Sequence, residues 1–177
     1  MMWTVVHVHS SVGNSPAPAA RRPAFPLNSV FAALCAIALA AVTAALAARW
    51  SHSLSVDEPF TALAVGQPHA ALLDTLRHDN TPLTYLALKP WSRLVGDSEL
   101  ALRSLTAFSY GAAVLVTGMA GVLLAGARCG IIAALLMASS GSVGLLHAAT
   151  IRPYAFLSLF SALSAYQLVA SPCPFVS

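Results

Sequence analysis

The chain has 177 residues, 58% of them hydrophobic and only 8% charged, with a formal net charge of +3. An ordinary water-soluble domain carries about 25% charged residues, so this composition excludes water as the main solvent. The basic residues occur singly or in one pair without interleaved aromatics, which leaves nucleic-acid binding unsupported, and Cys35, Cys129 and Cys173 lack the CxxC spacing of a zinc knuckle or the pattern of a disulfide framework.

Residues 1–28 read as a disordered cytosolic leader, since the first 20 contain Gly, Ser, Asn and two Pro with no sustained period. A bilayer core about 30 Å thick needs about 20 apolar residues per helix, because backbone polar groups there must pair internally. Stretches free of Asp, Glu, Lys and Arg run from Pro23 to Ala48, Ser104 to Ala127, Cys129 to Ile151 and Pro153 to Ser177. The expected fold is therefore all-α: a polytopic bundle of about four spans over residues 29–170, followed by a short tail at 171–177. The apolar run from Val30 to Ala48 exceeds the roughly 7 to 15 residues of a cleavable signal, so it reads as an uncleaved signal anchor in the cell membrane.

Arg21 and Arg22 precede the first span and put the amino terminus in the cytosol. The loop 49–103 then lies outside, the turn at Arg128 inside and the turn at Arg152 outside. A simple count runs the other way, with six basic residues outside and three inside, but most of the six fall in the long loop, where the rule weakens.

That loop holds all six acids of the protein, Asp57, Glu58, Asp74, Asp79, Asp97 and Glu99, together with His52, His69 and His78. Asp57 suits a helix N-cap, with Glu58 and Pro59 filling the first two positions, where an acid favours the dipole and a missing N–H costs nothing. The helix is expected to reach about Val65 and stop at Gly66. A capping box from Ser55 to Glu58 is the second choice, because it sets Pro59 where its absent N–H is needed. Pro68 opens another short helix with Leu72, Leu73 and Leu76 on one face, ending near Asp79. The stretch from Thr81 through Trp91 predicts an apolar helix too short to cross a bilayer, lying along the interface and ended by Gly96. Asp97 or Ser98 caps the next helix, and Arg103 anchors the entrance to the second span.

Taken in order, Ser55-Val-Asp-Glu58, His78-Asp-Asn-Thr-Pro-Leu-Thr-Tyr-Leu86, Trp91, Gly96-Asp-Ser-Glu-Leu-Ala-Leu-Arg103 and Ile151-Arg-Pro-Tyr-Ala155 carry a resemblance. From about Val30 to Tyr166 the chain resembles the amino-terminal part of the multi-pass GT-C glycosyltransferases. These are the enzymes related to protein O-mannosyltransferases, aminoarabinose transferases of lipid A and rhizobial lipopolysaccharide glycosyltransferases. Relatives usually have two consecutive prolines where this chain has Thr81-Pro82, and one proline is enough to start the helix.

The resemblance implies transfer of a sugar from a polyprenyl-phosphate donor to an acceptor on the non-cytosolic face. It maps the catalytic base onto Asp57, with Glu58 beside it. A carboxylate in hydrogen-bond reach can take the acceptor hydroxyl's proton, and an arginine, Arg103 or Arg152, can stabilise the leaving phosphate. Asp79 and Tyr154 complete the expected substrate-binding set. Plainer readings stand beside these: Asp57 as a cap alone, Glu58 as a first-turn acid, Asp79 in a turn, Arg103 and Arg152 as interfacial anchors, and Tyr85, Trp91 and Tyr154 as belt aromatics. No metal site is indicated at His78, which lacks a partner at ligand spacing, although a divalent ion stays compatible with the family. His147 falls near the outer end of the third span, at a depth where a polar side chain is cheap.

Relatives in this family have many more spans, so the chain is expected to be a truncated product or part of a split enzyme, inactive alone or completed by a membrane partner supplying the missing spans. The alternative is a non-catalytic membrane protein, either a degenerate remnant or a subunit of a larger complex. A small transporter is disfavoured because, apart from His147, the spans carry no ionisable groups suited to a transport path.

Overall fold

The computed structural model describes residues 26–49, 63, 65–66, 82–140, 150–151 and 153–171. Among them there are helices and no strands: α1 (Leu27–Arg49), α2 (Pro82–Val95), α3 (Glu99–Ala125), α4 (Ala127–Ser139) and α5 (Tyr154–Ala170). The all-α expectation therefore holds for the described residues.

α3 is the hub, packed against each of the other helices. α1 presents one stripe to it, Val30, Leu34, Ala38, Ala41, Val42 and Ala45, at the spacing of one helical face. Ala107, Tyr110 and Val114 of α3, Ala134 of α4 and Ala155 of α5 close this core. Small residues let the backbones approach. A Cβ on Gly111 would stand 2.5 Å from Val42 Cγ2, and one on Gly118 would stand 2.6 Å from Leu34 Cδ2. On Gly130 it would collide with Val122 and lie 2.6 Å from the Gly118 carbonyl oxygen. Helix association in lipid relies on such close contact, since no hydrophobic drive separates one apolar helix from its solvent.

The turn between α3 and α4 is a single residue, Gly126, with φ 88° and ψ −179°. That region of backbone space is essentially restricted to glycine. The turn thus falls at Gly126, two residues before the expected Arg128, which lies exposed in the first turn of α4. Gly121 and Gly130, on either side of it, meet across the resulting antiparallel pair.

Contacts fix which ends of the helices coincide. Leu34 lies at Gly118 and Val42 at Gly111, so α1 runs antiparallel to α3. Ile151, just before α5, clusters with Leu102, and Tyr166 lines a groove with Met119 and Val122, so α5 runs parallel to α3. The end of α1, the start of α3 and the start of α5 therefore share one end of the bundle, which we call the loop end. The Gly126 turn and the start of α1 occupy the other.

Two helices, Leu27–Ala48 within α1 and α3, are long and apolar enough to cross a membrane. Four such spans were expected. With 13 and 17 residues, α4 and α5 extend about 20 and 25 Å at 1.5 Å per residue, short of a 30 Å core. The expectation counted uninterrupted absence of charge, whereas a span also needs unbroken helix. α4 ends at Ser139, where Ser140 is a non-helical cap. α3 begins at Glu99, next to the cap expected at Asp97 or Ser98, and so runs ahead of the charge-free stretch that opens at Ser104.

Candidate functional site

The loop end is a second, separate core. Val65, Tyr85, Leu88, Leu102 and Ile151 are buried against one another, with Leu105 beside them. α2 supplies its wall. Its limits follow from the sequence: Pro82 opens the helix, and Gly96, at φ 102°, ends it. Ser98 rather than Asp97 caps α3, its side chain accepting from the Ala101 N–H at 3.2 Å.

Of the predicted site residues, Arg103 and Tyr154 are described, and Asp57, Glu58, Asp79 and Arg152 lie outside the described residues, as does His147. Arg103 falls in the second turn of α3, only 3% exposed, with Nη2 2.6 Å from Glu99 Oε1 one turn back. The pair is close in distance but not aligned as a hydrogen bond. Its geometry follows from i,i+4 spacing, and Glu99 also suits the positive start of α3.

Tyr154 opens α5 and is exposed, consistent with a belt position. Tyr85 is not: expected at the interface, it is 3% exposed, because it shares the inner side of α2 with Leu88. Trp91 is half-buried, its indole N–H donating to the Ala101 carbonyl at 2.8 Å and to Ser104 Oγ at 3.2 Å. Its ring meets Phe108 edge-on at 6.1 Å between centroids.

The structure draws the flanks of two predicted residues together. Leu102 precedes Arg103, Ile151 precedes Arg152, and Leu102 and Ile151 belong to one cluster. It also exposes two residues that sequence reasoning passed over. Lys89 is buried and donates from Nζ to the Val65 carbonyl oxygen at 3.2 Å, joining α2 to an earlier part of the same acidic loop. Thr84 is buried too, and its Oγ1 has no hydrogen-bond partner among the described residues. The available signal was spacing: Tyr85, Leu88, Lys89 and Ser92 lie on one helical face, and a lysine there is drawn inward with its neighbours.

Among the described residues no three His, Cys, Asp or Glu side chains gather as metal ligands. Compared with known proteins, the chain matches no family model, and no curated protein or solved structure is significantly similar to it.

Proposed function

We propose that this chain is a multi-pass membrane protein of the GT-C glycosyltransferase type. In this reading α1 and α3 cross the bilayer, the amino terminus lies in the cytosol and loop 49–103 lies on the non-cytosolic face. The outward surface supports the membrane part of this reading. Only 33% of the α1 span is buried, less than expected of the core helix of a soluble domain. Leu39, Leu124, Leu136, Phe160 and Leu168 stand exposed on α1, α3, α4 and α5, where water would penalise them and lipid would not.

The catalytic part is carried by one observation: the ordered motifs from Ser55 to Ala155, with every acid of the chain in one loop. In the proposed reaction a sugar passes from a polyprenyl phosphate to an acceptor hydroxyl. The hydroxyl oxygen bonds to the anomeric carbon, its proton passes to the Asp57 carboxylate, and the sugar–phosphate bond breaks with the electron pair leaving on the lipid phosphate. Glu58 supports Asp57, Asp79 and Tyr154 contact substrate, and Arg103 or Arg152 meets the phosphate. The packing of Ile151 on Leu102 supports this division, because it draws both arginine neighbourhoods to the loop end.

The test is transfer of labelled sugar from a polyprenyl-phosphate donor in membranes containing the chain. Activity that disappears in Asp57→Asn and persists in Asp97→Asn supports the assignment. Full activity in Asp57→Asn removes the base, and no transfer by the unaltered chain favours the non-catalytic reading.

A further inference from the structure

α2 is amphipathic with its polarity reversed. A surface helix in water buries its apolar stripe and turns its polar residues outward. Here Thr84, Lys89 and Ser92 are buried with Tyr85 and Leu88, while Leu83, Leu86, Pro90 and Leu94 are exposed. The exposed residues are spaced i, i+3, i+7 and i+11, which places them in one row along the helix. Leu94 is 81% exposed, a degree of exposure for a leucine within a continuous apolar row that water disfavours.

We propose that this row is a lipid-contact surface, resting in the acyl-chain layer of the leaflet at the loop end while Lys89 ties the acidic loop behind it. The inference rests on the membrane reading above and fixes which face of α2 meets lipid. Two observations select a lipid leaflet as the occupant. At 14 residues, α2 is about 21 Å long, too short to span, so it cannot be one more transmembrane helix of the bundle. Its outward side continues into α3 through the Trp91–Phe108 contact, and Phe108 is itself exposed on a helix long and apolar enough to span.

Depth follows from Pro90. It has no N–H, so the helical hydrogen bond from position 90 to the Leu86 carbonyl is missing. A free carbonyl is costly deep in hydrocarbon and tolerable where headgroup water reaches it. α2 therefore lies shallow, with its leucines pointing inward to the bilayer and the exposed Arg93 at the edge of the row near lipid phosphates.

The experiment attaches a spin label to single cysteines at Leu83→Cys, Leu86→Cys and Leu94→Cys. The full chain is reconstituted in phospholipid vesicles with Cys35, Cys129 and Cys173 replaced by serine, and Phe31→Cys on α1 serves as the reference. The expected result is faster collision with dissolved oxygen than with a water-soluble nickel chelate at all four positions. Labels on α2 that favour the chelate while Phe31 favours oxygen overturn the proposal and leave the membrane reading standing. Protection of the α2 labels from both reagents overturns it in favour of a protein partner on this face. Chelate preference at every position, Phe31 included, overturns the membrane reading itself.

Discussion

The two ends of the bundle hold together by different means. At the turn end, α3 and α4 meet through Gly118, Gly121 and Gly130, and α1 closes on Gly118 with Leu34, so backbone and small or apolar side chains meet glycine directly and no charged side chain takes part. At the loop end, apolar contacts are joined by buried polar groups: Lys89 on the Val65 carbonyl, Arg103 beside Glu99 and the Trp91 indole on Ala101. Shape governs the first region and pairing governs the second. A tight interface tolerates almost no added volume, whereas a paired one tolerates changes of shape provided its donors and acceptors stay matched.

Substitutions can break this contrast, and the largest effect is expected at Gly130. Gly130→Leu drives a side chain into Val122 and the Gly118 carbonyl, and backbone cannot move aside as a flexible side chain does. The expected loss is about 3 kcal/mol, read from denaturant unfolding in micelles, with α3 and α4 separating. Unchanged unfolding would mean that the glycine contact is not the close approach described above.

Lys89→Met is expected to act at the loop end only. It retains volume and removes the donor from the Val65 carbonyl, for about 2 kcal/mol of lost local protection. Hydrogen exchange and limited proteolysis should show faster opening around Val65 and Gly66, with the α3–α4 contact unaltered. Equal loosening of both ends would erase the distinction between them.

The smallest effect is expected at Ser98. Ser98→Ala removes the cap from α3 and costs about 1 kcal/mol, while Ser98→Asp keeps an acceptor for the Ala101 N–H and restores most of it. Thermal unfolding of the pair measures the cap alone, because neither change alters the glycine interface.

Local punctuation was legible in advance. Pro82, Gly96 and Ser98 mark the limits of α2 and the start of α3 because each acts through its own backbone: fixed φ, positive φ, or a side-chain acceptor within one turn. Span boundaries were less legible. Ser104 looked like a beginning only because Arg103 is charged, but an arginine paired with Glu99 one turn away is compatible with continuous helix. Tyr85 looked like an interfacial aromatic because its residue type is common there, and its burial depends on Leu102 and Ile151, which are distant in sequence.

The sequence by itself determined that the chain is helical, that its apolar content suits a bilayer and that its acids gather in loop 49–103, since composition and short-range spacing are carried by neighbouring residues. Only the tertiary structure decided that the chain turns on Gly126 and that Ile151 returns to Leu102. It also decided that α2 turns Lys89 inward and Leu86 outward. Those outcomes depend on contacts between distant segments, which no local pattern encodes. The inward lysine follows from them: it needs a carbonyl to receive its proton donor, and Val65, 24 residues away, supplies it.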